Sequence, residues 1–131
     1  MTADRFDHLS IAPQSFDAAL EFYRDTLGWQ LAHAWGSVVE PRGAILDGGG
    51  VKLVLVEQHA AEDRSWSHGI HGVRPTLHLR VDDLEARFAQ LAGTATVVVP
   101  IEATHWGTRW FVVKDPDDNL IAFEQPSGGV A

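Results

Sequence analysis

The sequence predicts an α+β fold made of two tandem βαβββ modules. Three observations carry this reading. Strand-like segments and one helically spaced segment follow each other in the order strand, helix, three strands. The same order then runs a second time, at an offset of about 68 residues that carries Phe16 onto Leu84. Glycines and an Asp-Pro turn sit where segments have to end.

The elements follow in order. Residues 6–11 read as a short strand. Ser15 is a candidate N-cap for a helix over Phe16–Leu27, in which Leu20, Tyr23 and Leu27 recur at helical spacing. Gly28 stops that helix, and Trp29–Ala34 is extended. Strands are expected near Val38–Glu40, Ala44–Leu46 and Val51–Glu57, with Gly48, Gly49 and Gly50 as the turn before the last. A polar stretch, His59 to Arg74, then separates the halves. In the second half Thr76–Val81 is a strand, Asp82 or Asp83 caps a helix over Leu84–Leu91, and Gly93 ends it. Thr96–Val99, Arg109–Val113 and Leu120–Gln125 are the remaining strands, with a turn at Asp115–Asn119. The expected organisation is one domain over 1–131, with module one at about 5–58, a linker at about 59–74, module two at about 75–126 and a short tail.

Composition narrows the function classes. Apolar residues make up 45% and charged residues 21%, which is globular composition without a disorder signature. No apolar run approaches the roughly 20 residues of a membrane span. Met1 to Phe6 lack a basic-then-apolar signal pattern, so a cytoplasmic protein is expected. The absence of cysteine excludes disulfides, thiolate metal sites and a cysteine nucleophile. A formal charge of −8, with ten scattered basic residues, argues against nucleic acid as a partner.

Five stretches carry a family resemblance. They are His8 to Ile11 followed by Phe22 to Trp29, then Leu79 to Leu84, then Trp106 to Phe111 followed by Asp115 to Ile121. In order and spacing they resemble the strand histidine, "FYxxxLG", "RVDDL", "WGxRxF" and "DPDGNxI" of the vicinal oxygen chelate superfamily, which groups glyoxalases, bleomycin-resistance proteins and extradiol dioxygenases. The resemblance implies a cupped eight-stranded mixed sheet with both helices on its convex side, and a homodimer with two equivalent clefts. Asp118 stands where the family usually has glycine, and Asp tolerates left-handed backbone at modest cost.

The resemblance also implies a divalent cation held by a His on the first strand of each module and a Glu on the last strand. His8 occupies the first of these positions. The second falls on Thr76 and the third on Ala122, and the optional carboxylate falls on Leu53, Val54 or Leu55. None of these matches the family's ligand. His78 and Glu124 each lie two residues further on, and a strand repeats its facing every two residues, so both should still look into the cup. Two readings stay open. Either His8, His78 and Glu124 form a displaced site for Fe, Zn or Mn, or they hydrogen-bond a ligand in a cup without metal or other cofactor.

Five tryptophans are many for this length. Trp29 is expected in the core, whereas Trp35, Trp66, Trp106 and Trp110 lie near the expected cup mouth, Trp110 being the most structural of the four. Aromatic planes there suit a flat ligand. Arg109 is read either as an anion contact or as a surface ion pair. His59, His68 and His71 are candidates for a lid, His105 shares their ambiguity, and His33 has no argument for function.

The favoured function is binding of an aromatic or cationic small molecule, as in metal-free relatives that sequester antibiotics such as bleomycin or mitomycin. Its ligand residues would be His8, Trp35, Trp66, Thr76, His78, Trp106, Arg109 and Glu124. The alternative is a lyase, isomerase or oxygenase using the displaced metal site, with His8 or His78 as catalytic candidates.

Overall fold

The computed structural model describes residues 6–57, 75 and 77–127. The chain divides into two compact units, Met1–Gly69 and Ile70–Ala131, and each holds one βαβββ module. Among the described residues no helix is long and apolar enough to cross a membrane.

Module one comprises β1 (Leu9–Ile11), α1 (Phe16–Glu21), β2 (Gln30–Trp35), β3 (Gly43–Asp47) and β4 (Lys52–Val56). The sheet order is β1-β4-β3-β2, with β1 parallel to β4 and the other pairs antiparallel. Ser15 caps α1 by accepting a 3.2 Å hydrogen bond from the Ala18 amide. The predicted helix over Phe16–Leu27 changes character after Glu21. Phe22–Thr26 form a wider π turn, closed by the Leu27 amide donating to the Phe22 carbonyl at 2.8 Å. Neighbours in a regular helix point about 100° apart, yet Phe22 and Tyr23 are both buried with their rings edge to face at 5.0 Å. The wider turn lets both enter the core. Gly28 then takes a positive φ of 78° and the chain leaves the helix.

The strand expected at Val38–Glu40 does not form. The Ser37 amide donates to the Glu40 carbonyl at 3.1 Å and the Val39 amide to the Ser37 hydroxyl at 3.2 Å, which makes this a turn. Pro41 follows without an amide proton for a ladder, and Gly36, at a φ of 93°, lies so close to Pro41 that a Cβ would meet its carbonyl oxygen at 2.4 Å. Arg42 ties this corner together. Its guanidinium lies 4.7 Å from the Phe16 ring centroid and pairs with Asp17 of α1 at 2.9 Å and with Glu57 beyond β4 at 2.8 Å.

Module two comprises β5 (Leu77–Arg80), α2 (Leu84–Leu91), β6 (Thr96–Ala103), β7 (Thr108–Lys114) and β8 (Leu120–Pro126). Its order, β5-β8-β7-β6, repeats that of module one, again with the first strand parallel to the last. The helix has the predicted bounds, and of the two candidate caps Asp83 is the one used, accepting from the Ala86 amide at 3.1 Å. β6 runs four residues beyond the predicted Val99, through Pro100. That proline is tolerated because β6 is an edge strand whose pairing is already interrupted by bulges.

Alternation along the strands sorts the side chains of module two. Leu77, Leu79, Phe111, Val113, Ile121 and Phe123 share one face through the ladder register. Helix α2 covers it, with Phe88 edge to face on Phe111 at 5.1 Å and Arg87 over the Phe123 ring at 5.3 Å. His78, Arg80, Trp110, Val112, Leu120, Ala122 and Glu124 fall on the opposite face.

The β7–β8 turn depends on Asp115. Its buried carboxylate accepts from the amides of Asp117 and Asn119 at 2.9 and 2.8 Å and from the Asn119 side chain at 2.9 Å. Asp118 is the non-glycine residue of positive φ here, at 66°. Asp118→Gly is therefore expected to stabilise the protein by up to about 1 kcal/mol in urea denaturation, because the exposed Lys114–Asp118 pair at 3.2 Å contributes little. Asp118→Val should destabilise it by about 1–2 kcal/mol. Equal stability of the two variants would show that the turn relaxes away from the left-handed region.

Candidate functional site

Three elements of module two converge on one carboxylate. Strand β8 carries Glu124, whose ladder partners are Arg80 on β5 and Trp110 on β7. His78, two residues before Arg80, donates from Nδ1 to Glu124 Oε1 at 2.5 Å. The other carboxylate oxygen accepts from Trp106 Nε1 at 3.1 Å and from the Thr108 hydroxyl at 2.9 Å. Trp106 reaches it because of the β6–β7 hairpin. There the Thr104 amide and hydroxyl both donate to the Thr108 carbonyl, at 2.9 and 3.0 Å, and Gly107 takes a φ of 92°. The Ser127 amide donates to the Gly107 carbonyl at 3.0 Å, fastening the tip of the hairpin to the end of β8.

The Glu124 side chain is only 16% exposed, whereas His78 is 49% exposed. Burial works to raise the Glu124 pKa. The hydrogen bonds from His78, Trp106 and Thr108 together outweigh it, and the carboxyl is held below the usual glutamate range. Glu124 is thus an ionised acceptor at neutral pH with a donor on each oxygen.

A cleft of about 390 Å³ opens beside this cluster, within the range of small-molecule sites. Its wall is aromatic, from His78, His105, Trp106 and Trp110. Its remaining surface is aliphatic, from Val98, Val99, Val112 and Leu120. The rings support one another, Trp106 standing edge-on to Trp110 at 5.2 Å and His78 stacking on Trp110 at 6.1 Å. Trp110 is held from behind by its Nε1, which donates to Glu102 at 3.0 Å.

Of the residues singled out from sequence, His78, Trp106 and Glu124 are brought together here. Arg109 is not. It belongs to the alternate set of β7 and pairs with Glu85 of α2, whose carboxyl it holds below the usual range. His8 lies in module one, just before β1, with Nδ1 2.6 Å from Asp7. Trp35, also in module one, stacks with His33 at 6.0 Å and covers Gly43 so closely that a Cβ there would meet its ring at 2.0 Å. Trp66 and Thr76 lie outside the described residues, as do His59, His68 and His71. Sequence reasoning missed Thr108 as a donor and left Trp110, the most structural of the four tryptophans expected near the cup mouth, out of the ligand set. The period-of-two argument used for His78 and Glu124, extended to β7, finds Trp110 and sets Arg109 on the opposite face.

The donor set fits a cation poorly. Ala122, at the family's carboxylate position, is fully buried and has no donor atom. Leu53, Val54 and Leu55 have none either. His78 and Glu124 hydrogen-bond each other, and among the described residues no three His, Asp or Glu side chains gather as a metal site.

The sequence matches the model of the Glyoxalase/Bleomycin resistance protein/Dioxygenase superfamily over residues 5–123. The chain belongs to this superfamily. Solved structures agree with the assignment. TnmS3, an antibiotic binding protein from Streptomyces sp. CB03234, is 27% identical, with a TM-score of 0.72 over 97% of this chain and 99% of that one. TioX from Micromonospora sp. ML1, 23% identical with a TM-score of 0.69 over 92% of this chain and 99% of that one, shares the superfamily fold. The Mycobacterium bovis protein Mb0911c is 41% identical over 56 residues, which is 42% of this chain and 37% of that protein. The matched segment thus covers little more than a third of this curated relative.

The state of Glu124 sets an acid limit. A depressed carboxylate contributes stability that is present above its unfolded pKa, about 4.3, and is lost as pH falls through the lower folded value. Glu124→Gln, which strands at least one donor, should cost about 1–3 kcal/mol at neutral pH. The gap between wild type and variant in urea denaturation should shrink below about pH 4. A gap that stays constant down to about pH 2 contradicts this assignment.

Proposed function

We propose that this superfamily member binds a planar aromatic small molecule in the module-two cleft, without a metal, in the manner of antibiotic-binding relatives. The observation that carries the reading is the double use of Glu124. Its carboxylate is fully engaged in orienting His78 and Trp106, so the aromatic wall is built in advance of any ligand. A preformed wall lowers the ordering cost of binding. The aliphatic floor and indole planes suit a flat conjugated ring. The net charge of −8 attracts cationic examples over longer range. TnmS3, named as an antibiotic binding protein, supports the same class of role. The lyase, isomerase or oxygenase reading would use the displaced site of His8, His78 and Glu124; in module two His78 and Glu124 instead hydrogen-bond each other, and that reading has less support.

Titration with proflavine, a planar aromatic cation, tests this. Saturable quenching of tryptophan fluorescence is expected, with the same affinity in the presence of a chelator. Trp106→Ala should weaken binding by about 0.5–1.5 kcal/mol, the scale of one aromatic contact, and Trp110→Ala by a similar amount. Affinity that disappears with chelator, or no saturable binding, would overturn the proposal.

A further inference from the structure

Resting on the binding reading above, we infer that the cleft selects aromatic ligands with a hydrogen-bond donor, a hydroxyl or N–H, at the rim of the ring, and that His78 Nε2 is the acceptor. An ionised carboxylate only accepts, so the hydrogen between Glu124 Oε1 and His78 Nδ1 sits on the histidine. When the imidazole is neutral, its single N–H is the one given to Glu124. The lone pair is then on Nε2. Nε2 has no partner among the described residues, and His78 lines the cleft.

Apart from His105, the remaining lining offers no rival polar anchor of that kind. Pro75, Val98, Val99, Val112 and Leu120 are aliphatic, and the indole nitrogens of Trp106 and Trp110 are turned to Glu124 and Glu102. His105 stands edge-on to Trp106 at 4.8 Å, beside that ring. A flat ligand against Trp106 and Trp110 therefore meets an acceptor at the His78 end. A carbonyl or ether oxygen there would set lone pair against lone pair, and an anionic group would add repulsion from the Glu124 carboxylate behind the ring.

The test compares three ligands of one size by isothermal titration calorimetry: 2-naphthol, 2-methoxynaphthalene and 2-naphthoate. The hydroxyl compound should bind about three- to tenfold tighter than its methyl ether, the worth of one neutral hydrogen bond, and the carboxylate should bind weakest. His78→Phe keeps a flat ring beside Trp110 and should abolish the preference, so that the naphthol and the ether bind with equal affinity. Nitrogen NMR of the free wild-type protein in alkaline buffer reads the tautomer without any ligand, and the proton is expected on Nδ1 of His78. Equal affinity for naphthol and ether in wild type, or a proton on Nε2, overturns the inference while leaving the cleft as an aromatic site. Binding of none of the three overturns the cleft reading and the inference together.

Discussion

A carboxylate that is five-sixths covered must find donors for its oxygens inside the protein, and in this molecule that constraint shapes the site. Leaving such a group unpaired costs more than any single contact returns. Glu124 meets the requirement with one donor from β5, one from the β6–β7 hairpin and one from β7. The three hydrogen bonds therefore do more than stabilise the glutamate. They tie His78 and Trp106 to one carboxylate, beside the edge-to-face contact of Trp106 with Trp110 in the wall of the cleft.

The same cluster accounts for how the family's scaffold is used here. Superfamily membership supplies a first strand lying parallel to the last in each module, which brings β5 and β8 side by side. The register pairs His78 with Ala122 and Arg80 with Glu124. Histidine and glutamate thus meet diagonally across two adjacent strands, a separation that long side chains span. With alanine at the intervening carboxylate position, the ladder leaves room for a hydrogen-bonded pair and offers no third ligand within the described part of module two.

Much of this was legible in the sequence because it depends on periodicity. Alternation placed His78 and Glu124 on one face and Ile121 and Phe123 on the other, and the repeat located both modules, α2 to the residue. Features fixed by tertiary contacts were not legible. The π turn at Phe22–Thr26 exists because two adjacent aromatics must both be buried, and Val38–Glu40 became a turn through the approach of Gly36 to Pro41. The bond from Trp106 to Glu124 spans 18 residues and depends on the hairpin geometry of Thr104 to Thr108. A motif identified the tryptophan, but only the folded hairpin gave its partner.

In the proposed function, His78 and Glu124 pair with each other and shape a cleft that takes an organic ligand without a metal. Equilibrium dialysis of the purified protein against Zn(II), Mn(II) and Fe(II), followed by elemental analysis, tests it most directly. No metal retained above the level of a His78→Phe control is expected. One equivalent per chain retained by wild type and lost in His78→Phe would contradict it.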